Sequence, residues 1–280
     1  GIVRRYTFDS PSFSQSSQKI VAGTKPATII PFHDSAIIVS DQIFFFIEDE
    51  LNVLKIDIPF TSIGSCVDDP NSIVLFSKDE KLVKITMQNP SEDIITKSTK
   101  VSLMPRQTVV SGKFSFTLCK TGRAKEAVSH IVGMNFGNER AVFVQEFPIG
   151  FEVTSICTVD DDSLFVSGTY YGAECPSTTL ILYDISKGAF IKKYSTEITS
   201  IPIRASVQHN DHILLARQID IVRISKDCSA DTKFLIPYQN ICIMVSNGDY
   251  LWTASTSDVI KVFVIPATPQ KQEISIIVDN

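Results

Sequence analysis

The chain has 280 residues, of which 44% are hydrophobic and 20% are charged. This is the composition of a globular protein, and it excludes disorder, a collagen helix and a coiled coil as descriptions of the whole chain. The 26 basic and 31 acidic residues give a formal net charge of −5, which argues against an extended basic surface for nucleic acid. Because no apolar stretch is long enough to cross a bilayer, we expect no membrane partner.

The apolar residues form short runs that are rich in isoleucine, valine and phenylalanine and are bounded by Asp, Asn, Ser, Gly or Pro. Such runs are typical of β-strands separated by turns. In chain order they cover residues 36–39, 43–47, 53–58, 73–76, 82–87, 114–119, 141–147, 164–166, 180–185, 213–216, 219–224, 241–245, 250–254 and 259–265. Only residues 122–129 fit a helix, of one or two turns. The sequence therefore predicts an all-β protein.

A weak internal repeat distinguishes between the all-β classes. A turn rich in Asp or Asn precedes an apolar strand and then an outer strand at residues 68–71, 160–162, 209–211 and 247–249. The last three copies recur at roughly 40 to 50 residues, the period of a four-stranded propeller blade, whereas a sandwich needs no such period. We predict a WD40-like β-propeller with about five to seven degenerate blades. It is expected to span residues 19–280 as one domain, alone or as a fragment of a larger protein.

Four stretches share their order and spacing with one family. They are Gly-Thr-Lys-Pro at 23–26 with Val-Ser-Asp at 39–41, residues 72–85 with Met-Pro-Arg at 104–106, residues 152–183, and residues 213–250. Together they resemble the third propeller of the scaffold family that contains damaged-DNA-binding protein 1 and the propeller subunits of splicing factor 3b and of the cleavage and polyadenylation specificity factor. The resemblance covers roughly residues 20–278, although each motif alone is short.

The resemblance implies a protein-interaction scaffold, the adaptor propeller of a cullin-type ubiquitin ligase that docks substrate receptors. Residues 40–41 and 214–216 are closer to this adaptor and to its relatives in heterochromatin silencing and DNA repair than to the RNA-processing members. The resemblance also implies protein partners and a location in the nucleus and also in the cytoplasm. It implies neither catalysis nor a cofactor. Two alternatives stay open: a scaffold of splicing or 3′-end formation, and a propeller enzyme with carboxylates in its channel.

Four residues are the candidate partner-binding positions. Arg106 follows Pro105, whose ring fixes a corner between two strands, and it matches the Pro-Arg corner of the family, which implies that it faces the receptor pocket. The positions of Arg223, Tyr238 and Gln239 match residues near the same rim. Arginine and tyrosine are common anchors of protein interfaces. For Arg223, which lies in an alternating strand, a solvent-facing position without function is an equal alternative.

Residues 1–18 form a separate N-terminal segment in this prediction. Residues 2–13 are extended and polar, and they resemble the extreme N-terminal strand of the family, which closes the third propeller. Residues 14–18, Ser-Gln-Ser-Ser-Gln, then have two interpretations. They are the join of an engineered fusion, or they are the end of a natural linker.

Neither a catalytic nor a metal-binding signature is found in the sequence. The acidic residues 160–162 lack the alternation of a calcium loop, so we predict a solvated turn before a strand. His209 and His212 flank a predicted turn with no cysteine nearby, which favours a surface turn over zinc ligands. No glycine-rich phosphate loop precedes a helix, and no nucleophile elbow is present.

The cysteines are scattered, without a Cys-x-x-Cys pair. Cys119, Cys157 and Cys242 lie in apolar runs, and free cysteine is among the most buried residue types. We therefore expect buried, reduced thiols and no disulfide, in a cytosolic or nuclear protein. Trp252, the single tryptophan, lies in an apolar strand and is expected in the core.

Overall fold

The structure is a computed structural model in which the chain divides into two compact units, Gly1–Lys100 and Val101–Asn280. It describes the backbone of residues 2–9, 12–20, 28–32, 35–39, 43–47, 50–54, 60–65, 72–77, 82–86, 92–94, 105–111, 114–135, 141–198, 202–228, 233–236, 240–255, 260–265 and 276–277. Side chains are described for most of these positions from residue 106 onwards.

The first unit contains a hairpin and two four-stranded antiparallel sheets within its described ranges. The hairpin pairs β1 (Ile2–Asp9) with β2 (Ser12–Ile20), so residues 14–18 lie inside a strand. Each sheet is a meander in which consecutive strands pair. The strands are β3 (Thr28–Phe32), β4 (Ser35–Val39), β5 (Ile43–Ile47) and β6 (Glu50–Leu54) in one sheet, and β7 (Phe60–Ser65), β8 (Ser72–Ser77), β9 (Leu82–Thr86) and β10 (Glu92–Ile94) in the other.

The second unit contains four more meanders of four antiparallel strands in the described ranges. They comprise β11 (Pro105–Ser111), β12 (Phe114–Thr121), β13 (Val128–Asn135) and β14 (Ala141–Glu146); β15 (Phe151–Val159), β16 (Ser163–Tyr170), β17 (Ser177–Asp184) and β18 (Ile191–Ile198); β19 (Ala205–His209), β20 (His212–Ala216), β21 (Ile221–Ser225) and β22 (Lys233–Ile236); and β23 (Ile241–Asn247), β24 (Tyr250–Ser255), β25 (Ile260–Val264) and β26 (Ile276–Ile277). The first strands of successive sheets are neighbours: β11 contacts β15, β15 contacts β19, and β19 contacts β23.

The second strands β16 and β20 are apolar at consecutive positions because both faces of their sheets are buried. Side chains alternate between the two faces of a strand. In β16, Leu164 and Val166 pack in the core between the β11–β14 and β15–β18 sheets, while Phe165 packs in the next core. In β20, Leu215 faces the same core as Phe165, and Leu214 faces the following one. Continuous apolar runs in the sequence thus correspond to sheets packed between two neighbours.

Polar contacts between first strands align the sheets side by side. The Gln107 side-chain amide donates to the Ile156 carbonyl at 3.0 Å and accepts from the Ile156 N–H at 3.2 Å. The hydroxyls of Ser155 and Ser206 lie 2.7 Å apart. These contacts give hydrogen-bond partners to buried backbone and hydroxyl groups. They therefore fix the position of one first strand along its neighbour in the next sheet.

The predicted all-β, blade-like architecture is confirmed. The described residues contain sheets of four antiparallel strands that follow one another along the chain, and residues 122–129 contain a single 3₁₀ turn, Ala124–Glu126. Among the described residues, no helix is long and apolar enough to cross a membrane.

Three predictions of side-chain environment are wrong. His209 is not in a surface turn; it is 3% exposed, because its ring bonds to the neighbouring sheet. Cys175 and Cys242 are exposed, although Cys119 and Cys157 are buried as expected. Trp252 is half-buried and pairs directly with the exposed Val245 on the same face of the β23–β26 sheet. This face of the sheet is therefore more exposed to solvent than the apolar run at residues 250–254 suggests.

Candidate interaction surface

At one end of the strands in each sheet of the second unit, the first strand starts, the second strand ends and the third strand starts. We call this end of the sheets the start rim, and it includes the loops at residues 122–127, 147–150, 171–176 and 217–220. The other end of the strands is called the opposite rim. Because the first strands of neighbouring sheets contact one another, the start rims of successive sheets lie side by side.

Backbone hydrogen bonds connect the start-rim loops from sheet to sheet. The Gly150 N–H donates to the Ala127 carbonyl at 2.9 Å, and the Tyr171 N–H donates to the Gly150 carbonyl at 2.8 Å. Further along, the Asn240 N–H donates to the Gln218 carbonyl at 3.1 Å. A rim joined in this way presents its side chains from a fixed backbone.

β-Bulges recur where the first strands begin. The pairing register shifts around Arg106 in β11, around Thr154 in β15 and around Cys242 in β23. A bulge leaves one residue unpaired and turns its side chain away from the regular alternation. Arg204 has the corresponding position before β19, where its N–H donates to the Ala216 carbonyl at 2.8 Å. The start rim thus carries a bulge residue from three first strands and Arg204 at the corresponding place before the fourth.

The side chains at these four positions differ in their partners. The Thr154 hydroxyl donates to the Ser167 carbonyl at 3.2 Å, and the Cys242 thiol donates to the Ala254 carbonyl at 3.3 Å. Arg106 and Arg204 are exposed, and the ion pairs of the described residues include neither of them. Two guanidinium groups on the start rim are therefore accessible to a partner.

The loop 147–150 presents an exposed isoleucine from a rigid turn. Gly150 has φ +86°, a conformation that favours glycine, and its two hydrogen bonds fix the turn from both sides. Beneath the loop, the rings of Phe147 and Phe151 stack with centroids 5.2 Å apart. Ile149 is 72% exposed. Exposure of a large apolar side chain to water is unfavourable in proportion to its exposed area. Binding of a partner that covers Ile149 is therefore favoured.

Two further large side chains are exposed on the same rim. Tyr170, at the end of β16, is 37% exposed, and Ile219, in the turn 217–220, is 51% exposed. Exposed apolar and aromatic side chains beside arginine are the composition of protein-interface centres. Tyr170, Ile149, Ile219 and Arg204 were not predicted, because nothing local in the sequence distinguishes them from ordinary turn residues.

Two acidic side chains of the start rim have partners of their own. Glu152 accepts from Lys120 Nζ at 2.9 Å and from the Ala124 N–H at 3.2 Å. Burial alone would raise the pKa of the Glu152 carboxyl, but these hydrogen bonds and the charge of Lys120 hold it below its usual value. Asp220, which is buried, accepts from Arg217 through both carboxylate oxygens.

The opposite rim is rich in aspartate. Its described turns and strand ends carry acidic side chains, namely Asp160, Asp161, Asp162, Asp184, Asp211, Asp227 and Asp249. Asp160 has φ +55° and joins three sheets. Its carbonyl accepts from Ser111 at 2.8 Å, its N–H donates to Gln208 at 2.9 Å, and its carboxylate accepts from Lys226 at 2.8 Å. The hydrogen bond from Lys226 is the main cause of the lowered pKa of Asp160. The predicted solvated turn is also a junction between sheets.

The structure places two of the predicted site residues. Arg106 is exposed on the start rim at the beginning of β11, while Arg223 is half-buried in β21 and pairs with Leu214 and Lys233. Tyr238 and Gln239 lie outside the described residues. Within the described ranges, no group of three His, Cys, Asp or Glu residues is arranged to hold a metal ion.

Comparison with known proteins reveals the fold and no family. No family model matches the chain, and no curated protein matches it. Among solved structures, it is similar to PorZ, a surface component of the type-IX secretion system of Porphyromonas gingivalis, with 9% identity, a TM-score of 0.59 and coverage of 86% of this chain. The chain spans only 32% of the PorZ chain.

Two other similar structures are nearer to this chain in length. BamB from Moraxella catarrhalis has 13% identity and a TM-score of 0.56, over 85% of this chain and 69% of BamB. Hydrazine synthase from Kuenenia stuttgartiensis has 13% identity and a TM-score of 0.62, over 88% of this chain and 80% of the enzyme chain. Neighbours such as BamB are β-propellers, and four-stranded antiparallel meanders like those described above are the blades of that fold.

Proposed function

We propose that this protein is a scaffold that binds other proteins through the start rim of its second unit. The observation that carries the proposal is the concentration of exposed anchors on that rim: Ile149, Tyr170 and Ile219 together with Arg106 and Arg204. Tyrosine and arginine are enriched among the residues that dominate binding energy at protein interfaces, and covering an exposed isoleucine buries apolar area. The rigid loops that carry them reduce the entropy lost when a partner binds.

Substitution of Ile149 tests the proposal. Full-length protein bearing an affinity tag is crosslinked in cells, and partners are quantified by mass spectrometry for wild type and Ile149→Asp. We expect the partners to be depleted about tenfold or more, since an anchor residue contributes about 2 kcal/mol or more. Ile191→Asp is the matched control, because Ile191 is 44% exposed and lies on the opposite rim.

Two results would contradict the start rim as the binding surface. One is an unchanged partner set for Ile149→Asp when its thermal unfolding matches that of wild type. The other is an equal loss for Ile149→Asp and Ile191→Asp, which would indicate a nonspecific effect of the added charge.

In finer detail, we propose that the scaffold is the adaptor of a cullin-type ubiquitin ligase, acts in the nucleus, and is not an enzyme. The support is the resemblance of residues 20–278 to that scaffold family and the exposed position of Arg106. The crosslinked partners decide between the family members. Cullin and substrate-receptor proteins would support the adaptor, whereas splicing or polyadenylation subunits would replace it with an RNA-processing scaffold.

A further inference from the structure

We infer that the start rim binds an acidic, extended segment of a partner protein, whose carboxylates pair with Arg106 and Arg204 on either side of Thr154. This rests on the proposed function and adds the chemistry of the partner. The two arginines have equivalent positions, at the beginning of the first strand in sheets that flank the β15–β18 sheet.

The packing of the first strands sets the spacing of the two charges. β11 and β19 both contact β15, so the arginines are two sheets apart. Packed sheets lie about 10 Å apart, which places the two Cα atoms at most about 20 Å from each other. Long arginine side chains shorten the distance to be bridged. An extended segment rises about 3.3 Å per residue, so carboxylates separated by about three to five residues fit.

The charges around the site favour an acidic segment. On the start rim, Glu152 is engaged by Lys120 and by the Ala124 N–H, and Asp220 is engaged by Arg217. Neither Arg106 nor Arg204 takes part in an ion pair among the described residues, so both guanidinium groups can pair with a carboxylate of a partner. A guanidinium group can donate two parallel hydrogen bonds to one carboxylate, a geometry that lysine does not reproduce.

The backbone holds both arginines ready for such a segment. Arg106 is fixed between Pro105, with its restricted φ, and Gln107, whose side chain bonds to Ile156 in the next sheet. Arg204 is preceded by Ile203, which is fully buried, and its own N–H is bonded to Ala216. Little backbone freedom is therefore lost when the segment binds.

Synthetic peptides test the inference on the full-length protein. The probes are fluorescein-labelled peptides with two glutamates separated by no residue up to about eight serines, and the matching glutamine peptides, measured by fluorescence polarisation at low salt. We expect the tightest binding at a separation of about three to five residues, and binding weaker by about tenfold for the glutamine versions.

Charge reversal identifies the residues that bind the peptide. Arg106→Glu and Arg204→Glu are each expected to weaken the best glutamate peptide by about tenfold or more, and the double variant to bind none. Lys187→Glu makes the same charge change in the turn after β17, on the opposite rim, and should stay within about twofold of wild type. Circular dichroism and thermal unfolding verify that all variants are folded.

Several outcomes would overturn the inference. These are no binding by any glutamate peptide, equal binding by the glutamine peptides, or an equal loss for Lys187→Glu. Displacement of the peptide by a uridine oligonucleotide at lower concentration than by unlabelled peptide would identify a phosphate site instead. If these results appear while Ile149→Asp still depletes the cellular partners, the acidic segment is wrong and the scaffold function stands.

Discussion

At the scale of single residues, the bulges explain why Arg106 is accessible. In a regular strand, successive side chains alternate between the two faces of the sheet. The register shift between Pro105 and Gln107 instead leaves Arg106 outside the pairing. Thr154 and Cys242 at the same positions bond to carbonyls of their own sheets. Arg106 and Arg204 therefore differ from Thr154 and Cys242, because their side chains remain available to a partner.

Arg106→Ala should weaken partner binding by about 1–3 kcal/mol with little change in folding stability, because the side chain is exposed and forms no ion pair with another described residue. Arg106→Lys should recover only part of the loss. Titration of an isolated partner by calorimetry, with urea unfolding in parallel, measures both quantities. An unchanged affinity, or a loss that comes only from unfolding, would remove Arg106 from the interface.

Glu152 links acidity to stability. Its pKa in the folded protein lies below the usual 4.5, so its contribution is fully present above that value and is lost as the pH falls through the folded pKa. Glu152→Gln should therefore unfold at a lower temperature than wild type at pH 7, and the difference should shrink below about pH 4.5. Thermal unfolding followed by circular dichroism across this range gives the comparison, with the exposed Glu174→Gln as control. A constant difference at all pH values would contradict the assignment.

At the scale of elements, stability depends on contacts between sheets as well as within them. Ser111, Gln107 and Ser155 each bond to a residue roughly one sheet further along the chain. His209, which is 3% exposed, makes a further connection of this kind. Its Nε2 donates to the Ile265 carbonyl at 2.6 Å, so its Nδ1 accepts from the Ser246 hydroxyl at 2.8 Å in the neutral ring.

His209→Ala should lower the free energy of unfolding by about 1–3 kcal/mol, because it leaves a buried carbonyl and a hydroxyl unpaired. Ser246→Ala removes one of the two bonds and should cost less. The double variant should be less destabilised than the sum of the single losses, since both substitutions break the same contact. Urea unfolding of the three variants tests this, and strictly additive losses would show that the two side chains act independently.

At the scale of the whole molecule, burial divides the cysteines into two groups. Cys119, Cys157 and Cys228 are buried in the second unit, while Cys175 and Cys242 are exposed. Burial raises the pKa of the Cys157 and Cys228 thiols to about 12. A buried thiol with so high a pKa contains almost no reactive thiolate at neutral pH.

Iodoacetamide at pH 8 should therefore alkylate Cys175 and Cys242 in the native protein and spare Cys119, Cys157 and Cys228. After unfolding without reductant, all six cysteines of the chain should react, because no disulfide is expected. Peptide mass spectrometry reads both experiments. Rapid modification of Cys157 in the native state would contradict the packing of the β15–β18 and β19–β22 sheets, and a protected pair after unfolding would indicate a disulfide.

The apolar runs predicted many of the strands and the blade-like repeat, whereas the first strands β11, β15 and β19 correspond to no predicted run. Short apolar runs such as 164–166 and 213–216 require sheets buried on both faces, and the acidic turns before them mark where strands begin. Arg106 was predicted at a corner because Pro105 restricts the backbone locally, and it lies in the bulge at the beginning of β11.

Contacts between distant residues depend on the tertiary structure. His209 bonds to residues 37 and 56 positions away, a distance over which no local pattern acts, so its burial could not be predicted. The equivalence of Arg106 and Arg204 depends on the register of two separate sheets, and the exposure of Ile149 depends on a loop held by neighbours from two sheets. Local sequence sets side-chain alternation, whereas the sharing of one rim follows from how the sheets stack.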